Sequence, residues 1–557
     1  MSAEAALQHR SELKTGEPPV VDHEAELVTD PKRQRQILFA MCGALIAVVA
    51  SVSGLNVAQQ DLAMDLGASQ SQLLWVINGY TMALAALLLP IGAIGDRWGR
   101  KPVLLAGLGL FIGANFLGAL SSTTGMLLTA RVLAGVAAAM IMPVTLSVIT
   151  SSFPSEQRAR AVGIWSGFAG AGGILGLFVS SYVVDYLTWP WLFAMPIVIA
   201  SAAGIMTIRA VGNSREHQEG RFDVVGSVLS AVAIGAIVLG IHEGPERGWT
   251  DSLTMAGVIV GLVALAGFIV WELRQDHPLF DIRLFAHRGL AAGALTLMIV
   301  FAVMFGVFLV MPQFTQAVLG YSALKAAAAL LPMMIVMMPL SATAPLIAKK
   351  IGIRNTLMLG VALFTTGLFL LAVMVSAEGG YWSVIPGLIV LSVGIGLCMS
   401  PSTTVITESL PVAKQGVASA LNDTVRELGG AIGIALLGSF VSAGYRSSVS
   451  GATESLSPEL ASEVKEGIGA AFAAAPHLGA DAPRIIEAAQ AALVDGWQVA
   501  MWFGVGLAGS LLAYLVIRGP RASDLAAEDA LDADLEGFDG ELDDLVIDLA
   551  HEGALVD

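Results

Sequence analysis

The sequence predicts an all-α polytopic membrane protein: fourteen transmembrane helices, forming two related halves and a pair of inserted helices. Three observations predict it. Of 557 residues, 55% are hydrophobic and only 13% charged, against roughly 25% charged in a soluble domain. The apolar residues fall in continuous runs of bilayer length, about 18 residues or more, not in the alternation of a membrane β-barrel. A short basic turn between two early runs also returns, degraded, between two later ones.

The early turn is Gly92-Ala93-Ile94-Gly95-Asp96-Arg97-Trp98-Gly99-Arg100-Lys101-Pro102. Its three cations place it on the cytoplasmic side by the positive-inside bias. Gly95 and Gly99 permit close backbone approach. Asp96 can neutralise an arginine or cap a helix N-terminus. The later copy is Lys349-Lys350-Ile351-Gly352-Ile353-Arg354.

In chain order the expected spans are 36–57, 72–95, 102–121, 124–149, 158–184, 191–210, 223–242, 254–271, 289–312, 326–348, 355–376, 382–404, 415–443 and 497–518. An even number puts both termini on one side. The loops assigned inside carry Arg97, Arg100, Lys101, Arg209, Arg283, Lys349 and Lys350; those assigned outside carry Asp61, Asp65, Glu243 and Glu378, with Arg247 the exception. Both termini are therefore expected in the cytoplasm.

The expected layout is a cytoplasmic segment 1–33, a six-helix bundle over 34–211, two inserted linker helices within 212–275, and a second bundle over 276–518. Residues 445–495 form a long outer loop, expected as short amphipathic helices at the outer mouth or interface, or else loosely ordered. From Gly519 to Asp557 there are thirteen acidic residues and one basic, so most of the net charge of −16 sits in the tail. Such a block reads as disordered and solvated, with partner docking as an alternative.

Cys42 and Cys398 lie in apolar runs and read as buried hydrophobes, not a disulfide or metal site. No cleavable signal segment is expected, since 1–33 is polar. No Walker-type loop or other enzyme signature stands in the sequence, so no enzyme activity and no cofactor are expected. Energy is then expected from an ion gradient; one charge moved through 100 mV supplies about 2.3 kcal/mol.

The turn at 92–101 resembles the loop between the second and third helices of the major facilitator superfamily. Nearly the whole chain resembles its fourteen-helix drug:proton antiporters, of the QacA/LfrA-like multidrug exporter type. Arg131-Val132-Leu133-Ala134-Gly135 resembles the fourth-helix motif with a buried arginine. Gly167 to Gly176, with Gly170, Gly172 and Gly173, resembles the glycine-rich antiporter motif of the fifth. The stretch from His277-Pro278 to Phe285, Gly320-Tyr321-Ser322, and Leu421-Asn422-Asp423 through Gly429-Gly430 resemble later signatures. The resemblance implies the major facilitator fold, two six-helix halves rocking about a midplane site. Three departures from it stand in the chain. Ser51 stands where an acidic first-helix residue is usual, with Gln60 in place of a following proline; Gly172-Gly173 replaces Gly-Pro; and Ala134 replaces glutamine.

Asp423, Arg426 and Glu427 are ionisable groups within a span, each costing roughly 2.5–3.5 kcal/mol to insert. They are expected to face a cavity or a partner. A spacing of four places Asp423 and Glu427 on one helical face. They form the candidate proton- and cation-responsive pair, unless Arg426 neutralises one of them as a structural ion pair. Arg131 either joins the coupling or snorkels to a surface.

The resemblance implies a cytoplasmic gating role for Gly92, Asp96, Arg97, Gly99, Arg100 and Lys101. Gly172, Gly173 and Gly176 form an antiporter-like face, for tight packing or a hinge between halves. Asn56, Asn78, Gln313, Gln316 and Asn422 are candidates to line a cavity; Trp75, Tyr80 and Trp165 are weaker ones, and Met333–Met338 reads as packing.

The expected function is proton-coupled export of amphipathic drugs or small molecules, organic cations among the candidates, across the cell inner (cytoplasmic) membrane. The expected partners are substrate, protons and lipid, with no nucleic acid and a monomeric state. Two alternatives stay open: a lipid or natural-product translocator with weak or no proton coupling, and a transporter-like sensor or assembly platform.

Overall fold

The computed structural model describes residues 27–214, 222–275, 278–410 and 414–520. His277 and the tail from 521 onward lie outside the described residues, as does most of the segment 1–33.

Fourteen helices in the described residues are long and apolar enough to cross a bilayer. They are α1 (Pro31–Val57), α2 (Gln70–Trp98), α3 (Arg100–Ala119), α4 (Thr124–Ser152), α5 (Ser155–Tyr186), α6 (Ala194–Ala210), α7 (Val224–Arg247) and α8 (Ser252–Glu272). Then follow α9 (Arg288–Gln313), α10 (Leu331–Ile351), α11 (Ile353–Met374), α12 (Ile385–Glu408), α13 (Gln415–Val449) and α14 (Ala482–Arg518). Local chemistry sets several starts. Ser69 and Gln72 form a capping box on α2, while Asp30, Thr123, Asp223 and Asp251 cap α1, α4, α7 and α8. Each supplies an acceptor to an otherwise orphan N–H at a helix start.

The helices pack as two copies of one six-helix plan. Within α1–α6, α1 packs on α5 and α6, α2 on α4, and α3 on α4 and α6. Within α9–α14 the equivalent pairs recur: α9 on α13 and α14, α10 on α12, and α11 on α12 and α14. The repeated turn is built alike in both. Gly99 joins α2 to α3 at φ 105°, and Gly352 joins α10 to α11 at φ 85°. Both conformations lie where a Cβ is penalised, so glycine is retained in each copy.

The halves meet along two seams, α2 with α13 and α5 with α10, which exchange under the repeat. α7 and α8 form a tight hairpin in which Gly240 and Gly257 bring the backbones together. α7 lies against both α2 and α13, so the inserted pair covers one seam from outside.

One end of the bundle is basic. There Lys101 Nζ donates to the carbonyls of Ile208 and Val211, Arg33 to that of Ala210, and Lys414 to that of Pro278. These side chains tie helix ends and linkers that share this end.

The outer loop departs from the sequence expectation in its boundaries. α14 begins at Ala482, not near 497, because the amphipathic stretch 483–495 continues into the span without a break and buries Ile485, Ala489 and Ala492. α13 likewise runs on to Val449. Short helices Pro458–Glu466 and Ile468–Ala474 pack beside these extensions, burying Val464, Ile468 and Ala471. The Tyr445 hydroxyl donates to the Val464 carbonyl at 3.0 Å.

Candidate functional site

The basic turn reaches across a seam. Asp96 ends α2 fully buried, and both its oxygens accept the backbone N–H of Gly416 at 2.8 Å. Its Oδ2 also accepts from Val417 N–H at 3.2 Å. These are orphan donors at the start of α13, and a carboxylate there also meets the positive end of the helix dipole. Arg100, equally buried, donates to Asp96 Oδ1 through Nε at 3.3 Å and Nη2 at 3.1 Å. Small residues permit the approach: a Cβ at Gly92 would sit 2.6 Å from the Gly416 carbonyl and 2.7 Å from Ala420 Cβ. Lys101 and Gly99 shape the turn itself, while Arg97 is half-buried at its edge. The structure is therefore shut at the basic end along the α2–α13 seam.

The second seam is shut by glycines too. The Ser341 hydroxyl of α10 donates to the Gly163 carbonyl of α5 at 3.0 Å. Gly167 faces Met338, and Gly170 faces Met337 and Met399. Gly172 and Gly176 instead face Val49 and Ala50 of α1, inside the first bundle. The glycine-rich motif from Gly167 to Gly176 thus divides. Its N-terminal glycines lie at the seam, and Gly172 and Gly176 serve packing within one half, because successive glycines rotate about the helix axis.

Two buried arginines occupy the interior. Arg131 of α4 donates from Nη1 to Ser51 Oγ of α1 at 3.1 Å, and its guanidinium stacks 4.3 Å from the Tyr80 ring centroid. It does not snorkel, being 1% exposed. Tyr80 in turn donates to the Val48 carbonyl. Ser51 thus occupies the position the departures pointed to, facing the arginine with a hydroxyl instead of a carboxylate. A cavity of about 10 Å³ adjoins Ser51, Arg131 and Ser180, near the space one water requires.

Arg426 of α13 donates to Asp423 Oδ1 at 3.0 Å, and Asn422 Nδ2 donates to the same oxygen at 3.2 Å. The guanidinium lies 4.6 Å from the Phe301 centroid of α9 and 5.5 Å from that of Trp165, which comes from the other half. Trp165 is itself held by a hydrogen bond to Thr145 Oγ1. Glu427, one turn beyond Asp423, is half-buried and makes no hydrogen bond or ion pair among the described residues. The two acidic residues are therefore not equivalent. Asp423 is the partner of Arg426, and Glu427 is the carboxylate left open.

Of the candidate cavity residues, Asn422 is buried beside this group and Asn78 is half-buried on α2. Gln313 and Gln316 are exposed, with the Gln313 amide turned back to the Leu309 carbonyl. The Asn56 side chain and the Gln60 side chain lie outside the described residues. Sequence reasoning did not single out Phe301, Gly416 or Gly163. A glycine at the first turn of a span, as at Gly416, was the one available signal.

Paired six-helix bundles that meet at a sparsely charged interior define a membrane transporter with a site between its halves. The chain belongs to the Major Facilitator Superfamily, which it matches over residues 39–434. It is 33% identical over 437 residues to the multidrug efflux pump LfrA of Mycolicibacterium smegmatis, covering 78% of this chain and 86% of that one. It is 30% identical over 389 residues to the multidrug resistance protein Stp of Mycobacterium tuberculosis, with 70% and 72% covered. The methyl viologen resistance protein SmvA of Salmonella typhimurium is 29% identical over 492 residues, with 87% and 97% covered. Among solved structures, the proton:xylose symporter XylE superposes with a TM-score of 0.57 at 12% identity, covering 88% of this chain and 96% of that one. That likeness carries the fold alone.

Proposed function

We propose that this protein exports amphipathic, cationic small molecules across a bacterial inner membrane in exchange for protons, with the basic end and both termini in the cytoplasm. The halves rock about the seams, and the Asp96–Gly416 contact forms and breaks as the cytoplasmic gate. The single observation that carries the exchange is Glu427: a carboxylate in the interior of a span, near both halves, that no cation neutralises by direct contact. A proton or an organic cation can each satisfy such a group, and neither can do so while the other is present. Asp423, held by Arg426, then sets the local charge and is not itself the exchanging group. Arg131 fixes Tyr80 and α1 in the first half.

The names of the relatives support the substrate class: drugs for LfrA and Stp, and the dication methyl viologen for SmvA. The hairpin α7–α8 lies over one seam, which leaves the lipid-translocator alternative only the other seam for lateral access.

The test is substrate-linked proton movement. Purified protein in proteoliposomes, with a pH dye inside, is given tetraphenylphosphonium or ethidium under an imposed pH gradient. Proton flux that depends on the cation supports exchange. Cation movement with no proton flux removes it.

A further inference from the structure

Four residues of α13 lie in one stripe: Gln415, Ser419, Asn422 and Arg426, at i, i+4, i+7 and i+11. All are buried, at 5%, 0%, 0% and 4% exposure. Each carries a polar atom with no hydrogen-bond partner: Gln415 Oε1, Ser419 Oγ, Asn422 Oδ1 and Arg426 Nε. In three of them another polar atom is pinned. Gln415 Nε2 donates to the Thr407 and Leu410 carbonyls, Asn422 Nδ2 to Asp423, and Arg426 Nη1 to Asp423. These bonds fix three of the four side chains, and the helical spacing sets all four on one face of α13.

Unpaired buried polar atoms are costly and are ordinarily satisfied by protein or by ordered water. Four in helical register, spread over about 16 Å at 1.5 Å per residue, outline a path and not a point. One end adjoins Gly416, the residue held by Asp96. The other adjoins Asp423 and Arg426, one turn from Glu427.

We propose that this stripe binds a file of internal water molecules, which carries protons between the Glu427 region and the basic end and is stopped there by the Asp96–Gly416 contact. The inference rests on the proton-exchange reading above and adds a route and a stopper to it. The contact that shuts the halves closes the proton exit in the same movement, so protons leave only when the basic end opens. Titratable groups at the ends of the file are Asp96 with Arg100, and Asp423 with Arg426 and Glu427; none lies among Gln415, Ser419 and Asn422.

Ser419 is the place to test it, since its side chain makes no protein contact through hydrogen bonds. Ser419→Val is compared with Ser419→Thr, which restores the hydroxyl. The readouts are the rate of substrate-linked proton movement in proteoliposomes and equilibrium tetraphenylphosphonium binding. The expected result is proton movement slowed about five- to tenfold in Ser419→Val, the order of one lost hydrogen bond, with near-normal cation binding and recovery in Ser419→Thr. Wild-type proton rates in Ser419→Val overturn the file while leaving exchange intact. Absence of proton movement in the wild-type protein overturns the exchange reading and the file together. A high-resolution cryo-EM map gives an independent reading that survives any folding defect. Ordered water at Gln415 Oε1, Ser419 Oγ and Asn422 Oδ1 is expected, and a dry stripe with these atoms bonded to one another contradicts the proposal.

Discussion

The carboxylate of Asp96, at the end of one half's second helix, receives the backbone N–H of Gly416, at the head of a helix in the other half. A side chain from one bundle thus caps a helix of its partner, and the cap exists only while the two are together. Opening the basic end strands three groups at once: two orphan N–H donors and an acid whose other partner is Arg100.

Removing that acid acts on fold and closure separately. Asp96→Ala leaves Arg100 buried without its carboxylate, and loss of one member of a buried pair costs about 3–5 kcal/mol. Poor folding yield is the expected outcome. Asp96→Asn keeps an acceptor but loses the charge at the helix start, worth about 0.5–2 kcal/mol. The closed state should weaken by about tenfold, read as faster alkylation of a cysteine placed at Ala420.

Gly92 and Gly416 are expected to be the least replaceable positions of the seam. Gly92→Val meets the Gly416 carbonyl and Ala420 Cβ, and overpacking of this kind costs about 1–3 kcal/mol. The strain exists only when the halves touch. The variant should therefore insert and fold, label readily at the basic end, and lose transport; normal transport contradicts the closure.

Asp423 and Glu427 should separate cleanly. Asp423→Asn deprives Arg426 of its ion pair and should lower thermal stability. Glu427→Gln removes no described contact and should melt like the parent. Differential scanning fluorimetry in detergent distinguishes the two, and equal losses of melting temperature would show that the acids act as one structural unit.

Ser51 offers a gain. Ser51→Asp puts a carboxylate beside Arg131, and charge-assisted hydrogen bonds contribute about 1.5–3 kcal/mol. Its melting temperature should equal or exceed that of the parent. Ser51→Val leaves the Arg131 nitrogen without this acceptor and should melt lower.

Much of this architecture was legible in the sequence, for a physical reason. Hydrocarbon forces every span to satisfy its backbone internally, so apolar length alone located the fourteen helices, and Gly352 marked the repeat. Ser51 and Arg131 were each legible as positions of interest, but their contact was not. The partner of Asp96 was not legible either, because Gly416 contributes only a backbone N–H, which any residue carries. The division of the glycine motif was hidden for a similar reason: spacing places Gly170 and Gly172 on faces but does not say which neighbour each face meets. The choice of Arg426 between Asp423 and Glu427 depends on rotamers, which neither i,i+3 nor i,i+1 spacing settles. The orphan atoms along Gln415, Ser419 and Asn422 need coordinates to be seen at all.

The most direct measurement of the central claim is paired transport in Glu427→Gln proteoliposomes. Counterflow exchanges labelled for unlabelled cation without net proton movement, and proton-driven accumulation requires it. The open carboxylate predicts that the variant keeps counterflow and loses accumulation. Accumulation at the parent rate in Glu427→Gln would contradict it.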